Sequence, residues 1–92
     1  PTLLGVSGVS YDPSLDVYPN PTIDYVNLTS SSINLEHTTF RVIDGLGREV
    51  KATSVLLDNE LRLDVTQLPQ GVYFINLYVD NHRHTKKFIK LL

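Results

Sequence analysis

The chain has no cysteine and no tryptophan among its 92 residues. Without cysteine there is no disulfide staple and no thiolate metal site, so burial and backbone pairing alone must hold the fold. Without tryptophan, the side chain best suited to a flat sugar-binding platform is missing. No apolar run approaches the roughly 18 residues of a membrane span. The start shows no basic region followed by a long apolar stretch, so no secretory leader is visible. No segment combines helix caps with a 3.6-residue period. No Gly-x-Ser-x-Gly elbow is present to activate a serine.

What is there fits one small domain. Hydrophobic residues make up 41% of the chain, enough for a compact core at this length. Net charge is −2, which argues against nucleic acid as a main partner. The charge is unevenly spread. Arg83, Lys86, Lys87 and Lys90 lie in the last ten residues with no acid among them, and the remaining four basic residues share the chain with all ten acids. A basic tail on an acidic body suits an anionic partner, and equally an edge strand kept soluble by lysines.

Residues 1–15 read as a linker. Leu4, Gly5, Val6, Ser7, Gly8, Val9 and Ser10 mix small and apolar types without period, and Asp12-Pro13-Ser14 is a turn signal. The ordered domain is expected over residues 16–92. Val26 and Leu28, Phe40 and Val42, and Leu61, Leu63 and Val65 each alternate with polar neighbours, the period of a half-buried strand. Val72 to Val79 is the most apolar run, with Tyr73, Ile75, Leu77 and Val79 on one face, and reads as a central strand. Gly45 and Gly47 supply a tight hairpin, Asp58-Asn59 a second reversal, and Asp80-Asn81-His82 a third. Pro19 and Pro21 cannot donate to a ladder, which confines them to a sheet edge or a crossing point. The expected fold is all-β, an immunoglobulin-like sandwich of about seven antiparallel strands. Leu68-Pro69-Gln70-Gly71-Val72-Tyr73 resembles the corner before a central strand of such folds, so Tyr73 is expected to be buried with its hydroxyl bonded to upstream backbone.

Candidate chemistry is sparse. His82 and His84 form a His-x-His pair on one strand face, but a metal needs further ligands from Asp80 or His37, and a solvated hairpin end explains the pair as well. Asp16, Asp24, Asp44, Asp58, Asp64 and Asp80 lack the spacing of a calcium loop. Asn27-Leu28-Thr29 matches a glycosylation sequon but falls in a predicted strand. No metal or cofactor is expected. The apolar terminal residues Phe88, Ile89, Leu91 and Leu92 suit a last strand, which could pair with a receptor edge or exchange between two copies to give a strand-swapped homodimer.

Four motifs follow in order: Val17-Tyr18-Pro19-Asn20-Pro21, Asp44-Gly45-Leu46-Gly47-Arg48, Leu68-Pro69-Gln70-Gly71-Val72-Tyr73 and Lys86-Lys87-Phe88-Ile89-Lys90-Leu91-Leu92. Over roughly Asp16 to Leu92 this order resembles the type A C-terminal sorting domain of cargo proteins of the type IX (Por) secretion system of Bacteroidota. The matching positions are Pro19, Asn20 and Pro21; Gly47 and Arg48; Gly71 and Tyr73; and Lys86, Lys87, Phe88, Ile89 and Lys90. The resemblance implies an address label rather than an enzyme. Cargo of this family passes through the periplasm and is recognised by the type IX translocon and its shuttle proteins. It reaches the outer membrane, the cell surface or the medium. A sortase-like cysteine protease commonly removes the domain upstream of Tyr-Pro-Asn-Pro, which implies a cut among Leu4 to Ser10, and cargo is commonly attached to anionic lipopolysaccharide. An exported protein of this kind would carry these residues at the end of a longer precursor. Two other readings stay open: a retained domain of a translocon component, or an immunoglobulin-like binding or spacer module of an adhesin or glycan-active enzyme, with Tyr11, Tyr18, Tyr25 and Tyr78 as its sugar contacts.

Overall fold

A computed structural model describes residues 9–10 and 15–92. Among these residues nine strands form two packed sheets. They are β1 (Val9–Ser10), β2 (Leu15–Tyr18), β3 (Tyr25–Ser30), β4 (Thr39–Asp44), β5 (Glu49–Val50), β6 (Thr53–Leu57), β7 (Glu60–Asp64), β8 (Gly71–Val79) and β9 (His82–Lys90). One sheet has the order β1-β9-β8-β4-β5 and the other β2-β3-β7-β6. The expected β-sandwich is therefore present. β1 and β5 have two residues each, and the other strands have four or more.

Alternation builds the core. Val26 and Leu28 of β3 and Leu61 and Leu63 of β7 are buried from one sheet. Val42 of β4, Tyr73, Ile75 and Leu77 of β8 and Phe88 of β9 are buried from the other. The inner faces thus interdigitate, as expected of a two-layer sandwich. Two hairpins use two-residue turns in the left-handed region, Asp58-Asn59 (φ 51° and 59°) and Asp80-Asn81 (φ 48° and 68°). Asp and Asn tolerate that region because their short side chains bond locally.

The structure adds three features that periodicity did not expose. A single 3₁₀ turn, Leu35–His37, is capped by the Asn34 side chain, which accepts from the Glu36 N–H. In the Asp44–Arg48 hairpin, Gly47 alone of the two glycines takes positive φ, at 86°. Finally, β1 pairs in parallel with β9, with Val9 opposite Arg83 and Ser10 opposite His84. All other strand pairs are antiparallel. With β8 on its other side, β9 lies inside its sheet rather than at an edge.

Candidate functional site

The opening motif sits where the chain crosses between sheets. β2 ends the four-stranded sheet, and Pro19 and Pro21, both following cis peptide bonds, interrupt further pairing. Thr22 then reaches the other sheet. Its N–H donates to Ile89 O at 2.9 Å, and its carbonyl accepts from the Leu91 N–H at 2.8 Å. Its hydroxyl turns back to the Tyr25 carbonyl. Between the prolines, the Asn20 side chain does the work of a peptide group. Its Oδ1 accepts from the Ile89 N–H at 2.9 Å, and its Nδ2 donates to the Lys87 carbonyl at 3.2 Å. The opening motif and the terminal strand are therefore one structural joint. At its start, the Tyr18 hydroxyl donates to Glu60 Oε2 at 2.5 Å, which raises the Tyr18 pKa.

The hairpin motif is organised by Asp44. Its Oδ1 accepts from the Leu46 and Arg48 backbone N–H groups, both at 2.9 Å. Its Oδ2 accepts from Arg48 Nε at 3.0 Å. The Arg48 N–H bond is the main cause that holds the Asp44 carboxyl below its ordinary range. An aspartate followed by glycines at the next and third positions is the signal from which this turn is legible.

The corner motif behaves as expected. Tyr73 is 4% exposed, and its hydroxyl donates to the Pro69 carbonyl at 2.6 Å. Its ring stacks on Phe88, with centroids 5.5 Å apart and planes at 19°. Burial, then the nearby Asp44 charge, push the Tyr73 phenol above its ordinary value.

The terminal motif has two faces. Lys86, Phe88 and Lys90 share the side of the sheet that Ile75, Tyr73 and Gly71 occupy, and Lys87 and Ile89 face outward. Lys90 is 1% exposed, and its Nζ donates to Leu91 O at 3.2 Å and Leu92 O at 3.1 Å. Within the basic tail, Arg83 and Lys87 are the cations that are exposed on the outer face. A lysine four-fifths of the way into a charged tail reads as solvated, so sequence reasoning missed its burial.

Register gathers the motifs. Asp44, Tyr73 and Phe88 form one row across β4, β8 and β9. The neighbouring row places Gly71 beside Lys90, which bridges to Thr22. The hairpin and the corner also line a shared open groove of about 680 Å³. Hairpin, corner, tail and opening motif thus meet at one end of the sandwich.

Other candidates are not gathered. His82 Nδ1 lies 3.2 Å from the Asp80 carbonyl, and among the described residues no three His, Cys, Asp or Glu side chains group to hold a metal. Tyr18 and Tyr25 lie on the outer face of the four-stranded sheet, whereas Tyr78 lies on the five-stranded sheet. Tyr11 lies outside the described residues, as do Leu4, Gly5, Val6, Ser7 and Gly8 of the implied cleavage segment. Val9 and Ser10 of that segment form β1.

The family model for the secretion system C-terminal sorting domain matches residues 16–91. The chain belongs to this family. No curated protein matches it. The matched span of the sorting domain starts in β2 and contains the first three motifs and the fourth as far as Leu91. The family is a sorting signal for type IX secretion, directing export to the cell surface or beyond, and is not a catalytic family. Among the described residues no helix is long and apolar enough to cross a membrane.

Proposed function

We propose that the sorting domain is the folded address read by the type IX translocon and its shuttle proteins at the end of the sandwich where the motifs meet. Cargo carrying it passes through the periplasm. The translocon takes it across the outer membrane, and a sortase-like cysteine protease cuts between Leu4 and Ser10. The freed cargo end is then joined to anionic lipopolysaccharide. The domain is substrate and ligand in these steps, and performs none of them.

The observation that carries this reading is the Asn20 clamp on β9, which ties the opening motif to the terminal strand across 69 positions. At this end Pro19, Pro21, Arg48 and Lys87 are exposed to a partner. The partner meets side chains already ordered by the fold, which lowers the entropy cost of recognition. Gly47, Gly71, Tyr73, Phe88, Ile89 and Lys90 serve the signal by building that end. Lys86 belongs to the same strand.

The test is to follow residues 1–92 at the end of a periplasm-directed cargo in a host with a working type IX system. Mass spectrometry of the surface product is expected to find a new end between Leu4 and Ser10 and an added lipopolysaccharide mass. Cargo held in the periplasm overturns the address. Surface cargo still carrying residues 16–92 overturns the removal step.

A further inference from the structure

Among the described residues the two sheets have four end strands: β1 and β5 in one, β2 and β6 in the other. Three of these ends are blunted. β1 and β5 have two residues each, and β5 carries Glu49. β2 carries Asp16 and runs into Pro19 and Pro21. Short length, charge and proline are the devices by which proteins prevent a sheet edge from recruiting another strand.

β6 has none of them. Thr53–Leu57 is five residues long, without charge or proline, and pairs only with β7. Among the described residues no strand pairs with the backbone donors and acceptors on its far side. Two of its three outward side chains are apolar, Val55 56% and Leu57 69% exposed, and Thr53 is the third. Val55 and Leu57 line a groove of about 310 Å³ with Tyr25, Glu60 and Arg62 on the same sheet face.

Charge selects the occupant and its direction. Lys51 precedes the uncharged segment and Asp58 follows it. A second copy laid antiparallel brings each Lys51 end to the other copy's Asp58 end. A parallel copy would bring like ends together, which is unfavourable for cross-strand neighbours.

We infer that β6 is a self-pairing edge, through which two copies of this chain join antiparallel about Val55 into one continuous sheet. Val55 then faces Val55, and Thr53 faces Leu57, with no like charges opposed. The contact is isologous, so it closes at two copies and does not propagate into fibres. It leaves β9 in place, unlike exchange of the terminal strand, and it does not depend on the sorting role.

The test is the mass of the 92-residue chain in solution by sedimentation equilibrium, from micromolar to millimolar concentration. A concentration-dependent dimer is expected. Val55→Lys puts two ammonium groups face to face and should abolish it, with an unchanged amide spectrum of the monomer. Lys51→Glu should weaken it by about tenfold, and adding Asp58→Asn, which suits the left-handed turn, should recover most of that loss. Leu46→Lys, on the distant hairpin, should change nothing. A chain that stays monomeric throughout overturns the inference. So does a dimer that survives Val55→Lys, which would instead indicate exchange of β9.

Discussion

The Asn20 amide and the Ile89 backbone lie 2.9 Å apart and are joined by a hydrogen bond that spans 69 positions. With its second bond to the Lys87 carbonyl, Asn20 completes the side of β9 that β8 leaves unpaired. Thr22 continues the same line by pairing with Ile89 and Leu91. The terminal strand is thereby fixed by the first motif of the chain.

Replacing Asn20 by Ala removes both bonds at an exposed site. A loss of about 1–2 kcal/mol is expected, from two hydrogen bonds of ordinary worth. Amide hydrogen exchange gives the sharper check. The Ile89 N–H should lose protection far more than the amides of β9 that bond to β8. Equal protection at Ile89 in both proteins would mean that another acceptor serves it.

Tyr73→Phe keeps the ring and removes the bond from the buried Tyr73 hydroxyl to the Pro69 carbonyl. The expected cost is about 1 kcal/mol, read from the denaturant midpoint. Phe88→Ala removes the stacked partner from a fully buried position and should cost about 3–5 kcal/mol. An unchanged midpoint for Tyr73→Phe would show that the corner does not draw on its hydroxyl.

Acid should weaken the fold through two carboxyl groups. Asp44 is held below the ordinary value of 3.8 mainly by the Arg48 N–H, and Asp64 mainly by the Thr66 hydroxyl. A carboxyl with a lowered folded pKa binds its proton more readily when unfolded. Its contribution is complete above 3.8 and is lost as pH falls below that value through the folded pKa. Denaturation midpoints measured across this range should fall, and Asp44→Asn should flatten the decline.

Alkali should act through Tyr73. Its folded pKa lies above the ordinary 10.0 because of burial. The neutral phenol therefore stabilises the fold fully below 10, and that contribution is lost as pH rises through the folded pKa. Tyr73→Phe should show a shallower alkaline decline of the midpoint than the parent chain.

Lys90 separates packing from charge. Its stem is buried and its ammonium bonds to the Leu91 and Leu92 carbonyls. Lys90→Met keeps the length of the stem, whereas Lys90→Ala deletes three methylene groups, worth about 2 kcal/mol at the usual value per buried group. The Ala variant should be the less stable of the two on thermal melting.

Much of the fold was legible because local chemistry and tertiary structure agree. Leu61, Leu63 and Val65 alternate in sequence and are all buried. Asp58-Asn59 and Asp80-Asn81 carry the residue types that left-handed turns need, and both turns are made. The corner was legible because Pro69, Gly71 and Tyr73 form a local unit. Long-range partners were not legible. Nothing near Asn20 indicates that its amide will bond a strand at the other end of the chain. Val9 and Ser10 pair with β9 although their surroundings have no strand period. That pairing, with Thr22, places β9 inside its sheet, whereas a terminal lysine-rich strand suggests an edge. Lys90 is hidden for a similar reason, since its ammonium is satisfied by the two carbonyls that follow it.

The most direct test of the sorting role uses residues 1–92 fused to a periplasm-directed fluorescent protein. The fusion is expressed in a host with a working type IX system and in its translocon-deficient twin. Fluorescence at the surface or in the medium of the working host alone is the predicted result. Retention of folded, intact fusion in the periplasm of both hosts would contradict it.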